Sequence, residues 1–209
     1  MHKMTDDVYI FWDHSNIFVP AKEVARRREG LSAERDIRIH FQNVFALARA
    51  GRTVPKAICV GSSGTQLQPV LSRLAATGVD LEFYERGGQS RSEQGVDQCL
   101  QVHMLRVLAD VATPAVAVLL TGDGAGYESG VGFHADLERL SRRGWGVEVI
   151  SWDAACNQKL KRWAKAVGMY IPLEDYYHSV TFRAGLRNAL PLSLMHRGRA
   201  EPMILRLSA

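Results

Sequence analysis

At 209 residues, 46% hydrophobic and 23% charged, the chain suffices for one substantial domain and is too apolar to remain disordered. It holds no apolar run of about 18 residues, which excludes a membrane span, and its first residues lack a signal-peptide core, so a cytoplasmic location is expected. The net charge of +4 leans weakly toward polyanionic partners. Three cysteines, Cys59, Cys99 and Cys156, form no C-x-x-C pair and suit buried reduced thiols rather than disulfides or a zinc site.

In chain order, the first strand-like run covers residues 8–12 and ends in Asp13, His14, Ser15 and Asn16. The basic stretch "VARRREG" reads as a loop beside the end of this strand, and residues 32–50 read as the first long helix, with Ile37, Phe41, Val44, Phe45 and Ala48 on one face. Then strands at 56–60, 80–84, 116–120, 147–152 and 169–172 alternate with helices at 65–77, 93–110, 133–143 and 157–167. Several of the strands are apolar on both faces, as strands buried between two helical layers must be. This alternation predicts an α/β fold with helices on both faces of a mainly parallel central sheet. The domain is expected over residues 7–178. Residues 179–209 read as a basic extension of uncertain structure, with Arg183, Arg187, Arg197, Arg199 and Arg206 against the single acid Glu201. This tail is open to three roles: covering a nucleic-acid groove, forming a homodimer interface, or packing on the sheet edge.

Open parallel sheets bind ligands outside the carboxyl ends of their strands, where strand order reverses. Asp13 directly follows the first strand, Asp123 follows the run at 116–120, and Asp97 lies in the first turn of the intervening helix. Each has a plain explanation: a turn cap, a complement to the helix dipole, and an Asp-Gly turn. Jointly, three acids on one edge repel one another unless a divalent cation resolves them, and hard oxygen donors suit Mg²⁺ or Mn²⁺. A nucleotide-binding reading lacks both the G-x-G-x-x-G after the first strand and a Walker lysine in "GSSGTQ". An aspartyl phosphatase would want D-x-D where this chain has "DHSN".

Three pieces, "FWDHSNIF", "EQGVDQCLQVHM" and "LLTGDGAGYESGVGFHADLERLSRRGWGVEVISW", occur in an order and spacing that resemble the NYN domains of the PIN-like nuclease superfamily. The resemblance implies a three-layer α/β/α sandwich and a metal-dependent ribonuclease. Asp13, Asp97 and Asp123 would hold one or two Mg²⁺ or Mn²⁺ ions, and Asn16 would orient a ligand or bind the substrate. The expected partner is single-stranded or structured RNA. Ala125 stands where many members carry a further acid or amide, with Glu128, Ser129 or Asp153 as candidate substitutes. That departure keeps a second reading open, a catalytically degenerate RNA-binding module of the same fold.

For substrate contacts, Ser62 and Ser63 in "VGSSGTQLQ" stand where a helix N-terminus would hold phosphate, or form a plain glycine turn. Arg86 and Arg91 lie ahead of the proposed metal helix and suit the nucleic-acid backbone. Trp145, between glycines, is the better candidate for stacking a base, and Trp152 for ending a strand in the core. His103 falls near the apolar face of its helix and reads as a packed histidine.

Overall fold

The alternation of buried side chains along Asp7–Asp13 (β1) explains the architecture. Ile10 and Trp12 enter one core, while Phe11 enters another on the opposite face. A strand covered on both sides belongs at the centre of a sheet, and β1 lies there. The computed structural model describes residues 6–63, 72, 74–85, 91–123, 125 and 127–203. Five further strands complete the central sheet: β3 (Thr53–Ser63), β4 (Asp80–Glu85), β5 (Val116–Leu120), β6 (Gly146–Ser151) and β7 (Met169–Pro172). They run in the order β4-β3-β1-β5-β6-β7, and every pair is parallel.

Helices α1 (His14–Glu29) and α3 (Phe41–Arg49) cover the face carrying Ile10 and Trp12. Helices α4 (Arg91–Asp110), α5 (Gly132–Arg142) and α6 (Gln158–Val167) cover the other through Leu100, Met104, Phe133, Leu137 and Leu160. The result is the expected three-layer α/β/α sandwich. No helix among the described residues is long and apolar enough to cross a membrane.

Two expectations are corrected near the N-terminus. The stretch after Asp13 is a helix rather than a loop: Ile17, Ala21, Val24 and Ala25 recur at helical spacing and are buried, although Pro20 lies inside it. The segment 32–50 is not one helix. It divides into α2 (Leu31–Asp36), a short strand β2 (Ile37–Ile39) and α3. Ile37 and Ile39 are buried while Arg38 is exposed, a period of two. β2 pairs antiparallel with β8 (Thr181–Arg183), so its partner lies in the tail. Gly30 separates α1 from α2 at φ +91°, a conformation side-chain-bearing residues rarely adopt. The expected helix at 65–77 falls largely outside the described residues.

The tail continues past a short helix, α7 (Tyr177–Val180), and beyond β8 it packs back on the sheet. Arg197 is buried against Glu148 of β6, the Ala200 N–H donates to the same carboxylate at 2.8 Å, and the Met203 N–H donates to the Gly144 carbonyl at 2.9 Å.

Between α6 and β7 the backbone approaches β6 so closely that a Cβ on Gly168 would fall 2.1 Å from the Val147 carbonyl oxygen. Backbone cannot move aside as a flexible side chain can. Gly168→Ala is therefore expected to cost about 1–3 kcal/mol, read as a lower urea midpoint at unchanged slope. An unchanged midpoint would refute this close approach.

Candidate functional site

Strand numbering runs 1-3-4 to one side of β1 and 5-6-7 to the other, so strand order reverses between β1 and β5. The crevice at the carboxyl ends of these two strands is where a doubly wound sheet admits a ligand. Asp13 is the last residue of β1, and Asp123 follows β5 by three positions.

Asp13 is 1% exposed and also caps α1. Its Oδ1 accepts the Asn16 backbone N–H at 3.1 Å, and its Oδ2 accepts the Asn16 side-chain amide at 2.5 Å. The plain reading as a cap is thus correct as far as it goes, and Asn16 holds the carboxylate in one orientation. Burial pushes the Asp13 carboxyl above its ordinary pKa. Hydrogen bonds from Asn16 and Ser15 pull the other way, and the negative charge of Asp123 adds to the rise. Two carboxylates near enough to perturb one another, one of them desolvated, form a site that gains by binding a cation.

The turn carrying Asp123 is tightly built. Thr121 is fully buried and its Oγ1 accepts the Asp123 N–H at 3.2 Å. At Gly122 a Cβ would lie 3.0 Å from Ser151 Oγ and 3.1 Å from the Ala155 carbonyl oxygen, so a side chain there is crowded by backbone. Asp123 Oδ1 accepts the Ala125 N–H at 2.8 Å. At position 125 the chain thus supplies a backbone donor that orients Asp123. Thr121 went unnoticed in the sequence, though its place in "TGD" was the available signal.

Asp97 lies in the second turn of α4 and is half-buried. β4 ends at Glu85 and α4 begins at Arg91, so the first turns of α4 start from the same carboxyl edge. α4 then packs along β1, β3 and β4. The topology therefore puts Asp13 and Asp123 at this crevice and starts the helix that carries Asp97 from the same edge.

The two acids among the candidate substitutes are each paired with a lysine. Glu128 bonds Lys159, and Asp153 meets Lys161 at 2.7 Å. The cap of α6 is Asn157, accepting from the Lys159 and Leu160 N–H groups. Ser62 and Ser63 end β3, paired in register with Tyr84 and Glu85, and their side chains lie outside the described residues. Arg86 also lies outside them, as does the side chain of Arg91, the first residue of α4.

Several other side chains serve the fold. Trp145 is buried and meets Tyr9 edge-on, so it offers no face to a base. Trp152 is buried too, as expected, and its Nε1 donates to the Ile17 carbonyl at 2.8 Å. His14 is enclosed by Phe18, Phe41 and Phe83, and burial lowers its pKa to about 4. The arginines of "VARRREG" end a helix that runs away from Asp13, placing Arg26 roughly 20 Å along its axis from the site. Arg26 and Arg27 pair with Glu23, and Arg28 lies over the Tyr177 ring. His103 is not packed among apolar side chains alone; its Nε2 is 2.8 Å from Glu82 Oε1.

A family model described as the NYN domain matches residues 7–171. No curated protein matched the chain.

Proposed function

Since the chain belongs to the NYN domain family of PIN-like nucleases, we propose that it is a metal-dependent ribonuclease acting in the cytoplasm on single-stranded or structured RNA. The observation that carries this reading is Asp13: a carboxylate buried at the switch point, held by Asn16, with the charge of Asp123 beside it. Oxygen donors converging in this way fit Mg²⁺ or Mn²⁺, with Asp13, Asp97 and Asp123 as the protein ligands. When bound, such an ion lowers the pKa of water and offsets charge on the phosphodiester.

The side chains have separable tasks. Asp13 supplies a desolvated negative charge at a fixed position. Asn16 keeps both of its oxygens oriented, and the Ala125 N–H orients Oδ1 of Asp123. Ser62, Ser63, Arg86 and Arg91 are assigned to the RNA backbone, where neutralising phosphates gives affinity without sequence preference.

Asn16→Ala leaves Asp13 Oδ2 without its partner. Groups that orient ligands typically contribute ten- to a hundredfold in metal affinity, so the Mn²⁺ concentration for half-maximal cleavage should rise about that much. An unchanged metal requirement would show that Asn16 does not serve the site.

The direct test incubates purified protein with end-labelled single-stranded RNA in Mg²⁺, Mn²⁺ or EDTA. Cleavage with an ion and none in EDTA supports the hydrolase. Ala125 favours the second reading, an RNA-binding module, which predicts salt-sensitive binding and intact RNA at every ion concentration. That outcome would replace the enzyme.

A further inference from the structure

Starting two residues past Asp97, three side chains of different chemistry meet between α4 and the edge strand β4. Cys99 Sγ donates to Glu82 Oε2 at 2.7 Å, and His103 Nε2 lies 2.8 Å from Glu82 Oε1. Their potential ligand atoms all lie within 4.8 Å of one another, and each residue is half-buried. Cys99 and His103 are four positions apart, so one face of α4 presents both, and β4 presents Glu82 opposite them. Tyr84 lines the same spot, its hydroxyl 3.4 Å from Glu82 Oε2.

We propose that Glu82, Cys99 and His103 form a second metal site, selective for Zn²⁺, that fastens edge strand β4 to helix α4. The proposal stands apart from the ribonuclease reading, because none of the three residues belongs to the aspartate cluster. Donor chemistry separates the two sites. Sulfur, imidazole nitrogen and a single carboxylate oxygen select a borderline-soft ion, whereas three carboxylates select a hard one. Size agrees as well. Tetrahedral Zn²⁺ with ordinary bond lengths sets its ligand atoms about 3.3–3.6 Å apart, a modest opening of the present hydrogen bonds.

Charge agrees too. A Cys99 thiolate and a Glu82 carboxylate with neutral His103 balance a divalent cation. On binding, the Cys99 Sγ–H bond breaks, its proton passes to solvent, and an Sγ–Zn bond forms in its place. Three protein ligands leave a fourth position open to water at the exposed side of Glu82, which keeps 40% of its side-chain surface.

Sequence pattern alone argued against zinc here, because the cysteines form no C-x-x-C pair. Cys59 and Cys156 match that expectation as buried thiols, while Cys99 differs in being half-exposed and bonded to a carboxylate. The ligand set is C-x-x-x-H on one helix completed from a neighbouring strand, so its third member is invisible without the fold.

The test uses the full chain, stripped of metal, with Zn²⁺ titrated against a chromophoric chelator in the absence of RNA. One equivalent should bind. Cys99→Ser and His103→Ala should each weaken binding at least about a hundredfold, while Asp123→Asn should leave it unchanged. Co²⁺ in place of Zn²⁺ should give a thiolate charge-transfer band that Cys99→Ser removes. Bound Zn²⁺ should also protect Cys99 from alkylation, a readout on the native sequence that survives even if His103→Ala fails to fold. Absence of stoichiometric binding, binding indifferent to Cys99→Ser, or binding lost in Asp123→Asn would each overturn the proposal. Because no arm uses RNA cleavage, failure here and failure of the ribonuclease reading remain distinguishable.

Discussion

Asp123→Asn should reduce metal-dependent RNA cleavage roughly a hundred- to a thousandfold while leaving stability within about 0.5 kcal/mol of the parent. The contrast arises because the substitution removes charge and little else. The side chain is half-buried, and its Oδ1 accepts the Ala125 N–H, a bond that an asparagine oxygen can also accept. Asp13 would remain buried and bonded to Asn16, but without the charge that helps to raise its pKa. The Asp13 carboxyl should therefore titrate lower in the variant, although burial still holds it up. Single-turnover cleavage at saturating Mn²⁺, beside urea denaturation, checks both halves. Cleavage within tenfold of the parent would remove Asp123 from the site. Lost cleavage with a large loss of stability would show that Asp123 serves the fold.

Glu148→Ala should destabilise the protein by about 3–5 kcal/mol, lowering the Tm by roughly 10 °C in a domain of this size. The carboxylate is fully buried in the middle of β6. It accepts two bonds from Arg52, Nη1 and Nη2 each at 2.8 Å, one from Arg197 and one from the Ala200 N–H. Truncation would leave two buried guanidinium groups facing a void, and breaking such a pair costs far more than replacing all its members together. Arg197→Ala should show a smaller loss, because Arg52 would still neutralise Glu148.

The same carboxylate gives a pH dependence. Burial pushes its pKa up, but the hydrogen bonds and charges of Arg52 and Arg197 outweigh this and leave it below the ordinary 4.5. A depressed carboxyl means the unfolded chain binds the proton first. The stabilisation is thus fully present above about pH 4.5 and lost as pH falls through the folded value. Glu148→Gln should flatten that acid limb; an unaltered limb would exclude Glu148 as its source.

What the sequence determined by itself was local. Strands such as 116–120 and 169–172 were legible to the residue, because burial on both faces imposes an unbroken apolar run. Asp13 and Asp123 were legible as candidates because each comes within three residues of the end of such a run, and the alternation of strands with helices was enough to predict the layers. Helix α1 was less visible, since "DHSN" and Pro20 both read as turn signals while the burial of Ile17, Ala21 and Val24 depends on the sheet beneath.

Tertiary structure alone decided the rest. β2 exists because β8 returns to pair with it across more than a hundred residues, and isolated three-residue strands have too little pairing to stand alone. Trp145 looked available between its glycines, yet Tyr9 and the helical layer enclose it. Nothing local marks Glu148, whose partners Arg52 and Arg197 lie 96 and 49 residues away in the chain. Glu82, Cys99 and His103 likewise become neighbours only when α4 lies down on β4. Periodicity records which face of an element is buried, but it carries no information about the distant residue that will face it.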